Sequence, residues 1–180
     1  MHSIQKEQLN IASYLLQYPE AQWLDELAAE RDWLEARFAE PGAASIRRLI
    51  DHLLQTPLLS SQEAYSATFD LRAATCLNLS YHRYGDAKER GEELARFAAA
   101  YQASGFEPAL SELPDYLPML LELAAHSPNG EGQDMLREYA SSLALLSERL
   151  EAEESPYAGL FEVLSEMMQP AHSGKGGCHG

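Results

Sequence analysis

The sequence predicts an all-α protein, a single globular multi-helix domain. Three observations predict it. β-Branched residues are scarce, with one valine, Val163, in 180 residues. Leu, Ala, Glu and Gln, all good helix formers, are abundant. Apolar residues recur at the i, i+3, i+4, i+7 spacing of a buried helical stripe rather than in alternation.

The first helix is expected over residues 3–17, with Ile4, Ile11, Tyr14, Leu15 and Tyr18 broadly on one side and Pro19 as its stop. A second, over 20–39, carries Trp23, Leu24, Leu27, Leu34 and Phe38, and Pro41-Gly42 breaks the chain after it. A third spans 44–55, with Ile46, Leu49, Ile50, Leu53 and Leu54, and ends before Pro57. Ser60 or Ser61 can cap the fourth, with Glu63 in its first turn. Tyr65 and Phe69 lie one helical step apart there and should pack together. Asp70 sits late in that helix, where the dipole disfavours an anion, and Arg72 is near enough to compensate it. A fifth helix is expected over 73–84 and a sixth over 87–104, with Gly105 at its C-terminal cap.

The stretch Ser111-Glu112-Leu113-Pro114-Asp115-Tyr116-Leu117-Pro118-Met119-Leu120-Leu121-Glu122-Leu123 is the most distinctive in the chain. Proline suits a first helical turn, so Pro114 is expected to begin a helix that runs to about His126. Pro118 would then leave the Pro114 carbonyl without its usual donor. Glu112 and Asp115 would sit at the positive end of the helix dipole. Asp115, Pro118 and Glu122 would share one face, and Tyr116, Met119, Leu120 and Leu123 another. Two readings follow: a well-made helix start, or a rigid acidic lip beside an apolar groove. Beyond the turn Ser127-Pro128-Asn129-Gly130, one uninterrupted helix is expected over 131–152. Ser155 and Pro156 then open a last short helix lined by Leu160, Phe161, Leu164 and Met167. Residues 1–169 make up the helical domain, and the Gly-rich stretch 170–180 is expected to be a disordered tail.

The formal net charge of −15 opposes nucleic-acid binding, which requires basic contacts, and adsorption to anionic lipid. It permits a basic partner such as an arginine-containing peptide. No apolar run is long enough to span a membrane, and the N-terminus lacks the pattern of a signal peptide, so a cytoplasmic protein is expected. Cys76 and Cys178 are too few for a disulfide framework. Catalytic motifs such as G-x-S-x-G and H-E-x-x-H are missing, and Gly174-Lys175-Gly176-Gly177 is not a P-loop. His172, Cys178 and His179 are weak candidates for a soft metal, and no cofactor or metal site is expected.

Several motifs carry a resemblance. Tyr14-Leu15-Leu16-Gln17-Tyr18-Pro19 is one. The block Tyr65-x-x-x-Phe69-Asp70, followed by Arg72, Ala73, Thr75 and Leu77, is another, with one residue more than the usual Arg-Ala-Thr. Tyr84-Gly85 stands where His-Gly is usual, and Arg90-Gly91 matches. The strongest is Glu112-Leu113-Pro114-Asp115-x-Leu117-Pro118-x-x-x-Glu122. With Leu143 to Leu150 and Ser155-x-Tyr157-x-x-Leu160-Phe161, the chain resembles the redox-enzyme maturation chaperones, in particular the NarJ-type nitrate reductase assembly chaperones. The likeness runs over about residues 9–164 and is dense from Tyr65 onward.

The resemblance implies a chaperone without enzymatic activity. Such a protein binds the N-terminal segment of the catalytic alpha subunit of nitrate reductase. It keeps that subunit competent for molybdenum cofactor insertion and delays its membrane docking. Many such chaperones continue beyond this point, so the function of that extension is expected to be absent. The client leader would enter as an amphipathic helix. Its apolar side would meet Tyr65, Phe69, Tyr116, Leu117 and Leu120, and its basic residues would meet Asp70, Glu112, Asp115 and Glu122, with Pro114 and Pro118 stiffening the lip. A monomer or weak dimer is expected. A sibling chaperone for a dimethyl sulfoxide or trimethylamine N-oxide reductase and a plain helical interaction module are the alternatives.

Overall fold

A computed structural model of the chain describes residues 3–106, 112–128 and 130–169. Ser111, Asn129 and the Gly-rich tail with His172, Cys178 and His179 lie outside the described residues. The elements are α1 (Ser3–Leu15), α2 (Ala21–Glu35), α3 (Gly42–Gln55), α4 (Leu58–Tyr65), a π-helical turn (Ser66–Asp70), α5 (Leu79–Tyr84), α6 (Glu89–Ala103), α7 (Leu117–His126), α8 (Glu131–Glu138), α9 (Ala140–Ala152) and α10 (Ala158–Met168). Among the described residues the β pairing amounts to one isolated antiparallel bridge, Asn78 to Tyr116. None of the described helices is long and apolar enough to cross a membrane.

α7 is the axis of the fold. Leu117, Pro118, Leu120, Leu121, Leu123, Ala124 and Ala125 are all buried, leaving only Glu122 and His126 fully exposed on it. α1 packs along one side and α8 along another. The α8 contact depends on Gly132, where a Cβ would lie 2.7 Å from the backbone of Leu123 and Ala124. α10 bridges α9, α3 and α1. Its Gly159 meets Ser45 of α3 at a distance that a Cβ would reduce to 2.7 Å. The stripe Ile46, Leu49, Ile50, Leu53 of α3 is buried as its period requires. α6 ends as expected. Gly105 takes φ +75°, its N–H donates to the Gln102 carbonyl at 3.1 Å, and the Phe106 N–H reaches back to Tyr101 at 2.9 Å. That pair of bonds is a Schellman motif.

Several boundaries differ from the sequence expectation: α2 ends at Glu35 rather than residue 39, and α10 begins at Ala158 with Tyr157, not Ser155, at its cap position. α4 starts at Leu58, directly after Pro57, and Ser61 is buried within it, its N–H bonded to the Pro57 carbonyl at 2.9 Å. Neither Ser60 nor Ser61 caps it. α5 starts at Leu79 rather than near residue 73, because the preceding segment is drawn away to pair with residues 115–117. α7 starts at Leu117, not at Pro114. The helix expected over 131–152 is two helices, α8 and α9, broken at Tyr139. Its fully buried ring packs at a tilt against Phe97, with centroids 5.5 Å apart, and its hydroxyl donates to Glu93 at 2.7 Å, so tertiary packing turns the chain there.

Candidate functional site

The distinctive 112–123 stretch is organised by backbone pairing, not by its prolines. The Leu79 N–H donates to the Asp115 carbonyl at 3.0 Å, and the Leu117 N–H donates to the Leu77 carbonyl at 2.8 Å. These bonds hold Tyr116 extended, at φ −66° and ψ 120°, so the helix cannot begin before Leu117. Pro114 and Asp115 form a turn closed by the Tyr116 N–H on the Leu113 carbonyl at 3.0 Å. Pro118 takes the second helical position, where a missing N–H costs nothing. Its carbonyl accepts from the Ser13 hydroxyl of α1 at 2.9 Å.

Asp115 is 0% exposed. Its carboxylate accepts from the Asn78 amide at 2.9 Å, the Ser80 backbone N–H at 3.2 Å, the Ser80 hydroxyl at 2.5 Å and the Arg90 guanidinium at 3.3 Å. Arg90 also donates to the Ser80 hydroxyl at 3.1 Å and lies over the Tyr81 ring. A carboxylate with these four bonds is the pin that joins α5, α6 and the start of α7. It is therefore not a rim acid open to a partner's cation, as the acidic-lip reading had it. Leu117, Pro118 and Leu120 are likewise buried. Their apolar surface is spent inside the fold around α7, so they offer none to a groove. Glu122 is exposed, but it faces α1, its carboxylate 3.1 Å from the Ser13 hydroxyl.

The other candidates do assemble. Tyr65 is buried at the end of α4, and its hydroxyl donates to the Leu16 carbonyl at 2.7 Å. The Tyr116 hydroxyl lies 3.3 Å from it. Tyr65 stands edge-on to Tyr18 at 5.4 Å and to Phe69 at 5.0 Å, and Phe69 meets Tyr157 at 4.9 Å. The π-helical turn has a physical purpose here. Its wide loop, closed by the Leu71 N–H on the Ser66 carbonyl at 3.0 Å, buries Phe69 while throwing Asp70 and Leu71 outward. Leu71 is 81% exposed. Across the cluster, Glu112 and Leu113 are exposed as well. Burial pushes the Tyr116 hydroxyl above the usual phenol range, and the negative charges of Glu112 and Asp70 push it further. Both carboxylates thus act on one hydroxyl, although 42 residues separate them in sequence.

Around this cluster the residues that reach solvent are half-buried Tyr116, exposed Tyr18, Leu71 and Leu113, and the exposed acids Asp70 and Glu112. Neither acid has an ion-pair partner among the described residues. Arg72, the expected partner of Asp70, instead pairs with Glu153. The arrangement suits an apolar, basic segment: aromatic faces for its side chains and two unpaired anions for its cations. Tyr18, Leu71 and Leu113 were not singled out as site residues from sequence, although Tyr18 lies in the Tyr14 to Pro19 motif and Leu113 in the Glu112 to Glu122 motif.

Burial pushes the Cys76 thiol up, away from thiolate, and its sulfur lies 3.9 Å from His82 Nε2. Among the described residues no group of His, Cys, Asp and Glu could hold a metal ion.

Comparison with known proteins places this site in context. Residues 35–162 match the family described as nitrate reductase delta subunit. The nitrate reductase molybdenum cofactor assembly chaperone NarJ of Escherichia coli (strain K12) is 33% identical over 171 residues, covering 91% of this chain and 70% of its own. A Bacillus subtilis protein named as a probable chaperone of the same kind is 38% identical over 156 residues, covering 84% and 83% respectively. A crystal structure from Archaeoglobus fulgidus, of a candidate redox enzyme maturation protein, superposes with a TM-score of 0.62 at 20% identity, over 92% of this chain and 94% of that one. That last likeness bears on the fold alone.

Proposed function

This chain belongs to the nitrate reductase delta-subunit family, and from that premise we propose that it is a system-specific assembly chaperone for a respiratory nitrate reductase, not a catalyst. It acts in the cytoplasm on the catalytic alpha subunit. It holds that subunit competent for molybdenum cofactor insertion and delays its docking at the membrane. The observation that carries the reading is the similarity over nearly the whole chain to proteins named for this task.

The segment it grips is the N-terminal leader of the catalytic subunit, taken as an amphipathic helix. Apolar residues of the leader lie on Tyr18, Tyr116, Leu71 and Leu113, and its basic residues reach Asp70 and Glu112. Tyr65, Phe69 and Tyr157 support that surface from below. Pro114 and the buried Asp115, Leu117, Pro118 and Leu120 position it and touch no client. Release requires that the mature subunit bind less well than the immature one, since a ligand shifts an equilibrium only through differential affinity. A leader that becomes ordered elsewhere in the finished enzyme supplies that difference.

Calorimetric titration with a synthetic peptide of the leader tests the reading. Saturable binding that weakens with salt is expected, and Asp70→Asn with Glu112→Gln should weaken it by about tenfold, or about 1.4 kcal/mol. Undiminished low-salt affinity in that folded double variant would remove these acids from the site.

A further inference from the structure

We propose that the groove between α1 and α2 is a second docking surface, for a short partner helix that carries two basic residues one turn apart beside a large apolar side chain. It is built from other elements than the leader surface and shares no residue with it. The groove encloses about 480 Å³ above the buried side chains of Ile11 and Leu34, with half-buried Tyr14 of α1 and exposed Trp33 of α2 as its accessible apolar surface. Glu26 and Glu30 form its rim.

Its apolar part is preorganised. Tyr14 is pinned from below, its hydroxyl 3.3 Å from the Trp23 carbonyl and its ring 5.6 Å from the Trp23 indole. Trp33 is 46% exposed, yet its ring is fixed by the Arg37 guanidinium stacked 4.5 Å above it. Arg37 is itself held by Glu7 at 2.7 Å. Tryptophan and tyrosine with little freedom left to lose are the side chains that carry most of the energy in protein contacts.

Charge selects the occupant. The face of α2 turned to α3 is balanced: Arg31 pairs with Glu35 and Asp51, and Arg47 pairs with Glu35. The face turned to α1 is not. Glu26 accepts only the neutral Gln22 amide, at 2.9 Å, and Glu26 and Glu30 have no cationic partner among the described residues. Both acids line the groove together with Tyr14, and after burial their charges raise the Tyr14 hydroxyl above its ordinary range. One helical turn separates them, about 6 Å along the axis, which matches lysine or arginine at i and i+4 of a facing helix. A cation there meets two carboxylates and an indole rather than one isolated acid.

The test uses the full chain with nitrogen-labelled tryptophan. Its two indole N–H signals report Trp33 in the groove and Trp23 in the core. The probe is a synthetic leucine–lysine helix with lysines at i and i+4, set against the same peptide with glutamate for lysine. The lysine peptide is expected to shift the Trp33 signal saturably and leave Trp23 in place, and the glutamate peptide to shift neither. Glu26→Gln with Glu30→Gln should weaken the binding by about tenfold, and Asp70→Asn with Glu112→Gln should leave it unchanged. Absence of binding to the folded chain, equal affinity in the Glu26/Glu30 variant, or equal loss in both double variants would overturn the proposal. So would a Trp33 signal that moves with chain concentration alone, which would assign the groove to a second copy. Leader affinity is read on Asp70 and Glu112, so either surface can fail without the other.

Discussion

Asp115→Asn separates a structural acid from a binding acid. The substitution keeps the shape of the side chain and removes its charge. In the native protein two carboxylate oxygens accept four hydrogen bonds, from Asn78, twice from Ser80 and from Arg90. An asparagine offers one oxygen, and its amide points N–H bonds at groups that are themselves donors. Leaving a buried donor unmet costs about 1–3 kcal/mol. Arg90, only 18% exposed at its side chain, also loses its counter-charge. Breaking a buried pair by removing one partner costs about 3–5 kcal/mol, and the partial exposure of Arg90 puts this case near the lower end, about 3 kcal/mol. For a chain of this size that is a fall in Tm of about 6–12 °C. Urea unfolding followed by circular dichroism should show a lower midpoint with an unchanged slope. Arg90→Met should be costly alone, and the double variant should cost less than the sum of the two. A loss under about 1 kcal/mol, or strict additivity, would refute the view of Asp115 as a buried pin. Measured on the folded fraction, leader affinity should not change.

Other outcomes follow from the same geometry. Tyr65→Phe strips the Leu16 carbonyl of its donor and should cost about 1–2 kcal/mol in urea unfolding. Gly132→Ala drives a Cβ to 2.7 Å from the α7 backbone and should cost at least about 1–3 kcal/mol. Gly91→Ala meets nothing within 4 Å on α6 and should stabilise by about 0.5–1 kcal/mol, so thermal melts of the two should move in opposite directions. His82 lies 3.4 Å from the Arg149 guanidinium at Nδ1, and arginine can only donate, so the ring is neutral and Nε2–H donates to the Cys76 carbonyl at 2.8 Å. Burial holds its pKa below the ordinary histidine value. The unfolded chain therefore binds more protons in the window below about pH 6.5, and stability should fall as pH drops through it. His82→Gln should flatten that part of the profile.

The helices were legible because their stripes have the right period over several turns. α3 and the Gly105 stop of α6 fall where local signals put them. The misplacements at Tyr139, Pro114 and Asp115 share one cause. Tyr139 looks like one more residue of a long stripe, and only the rings and acid that it meets from α6 show that the chain turns there. Pro114 carries a good local signal for a helix start, and pairing with residues 77–79 overrides it. Asp115 reads as surface charge because its partners, Asn78, Ser80 and Arg90, stand 25 to 37 residues away. Of the candidate site, the Tyr65, Phe69, Asp70, Glu112 and Tyr116 group was visible as motifs. The stripe of α7 was also visible, but a stripe does not say whether a neighbouring helix has already covered it.

The bridge between Asn78 and Tyr116 closes a chain loop of 38 residues. Closing such a loop costs entropy before any contact repays it, so long-range pairings of this kind form late. The surface around Tyr116 exists only on the far side of that closure. A chain still emerging, or one partly opened, holds Tyr65 and Asp70 without Glu112 and Tyr116 opposite them. Completion of the proposed leader surface is thus coupled to completion of the fold, and a half-made copy lacks that surface.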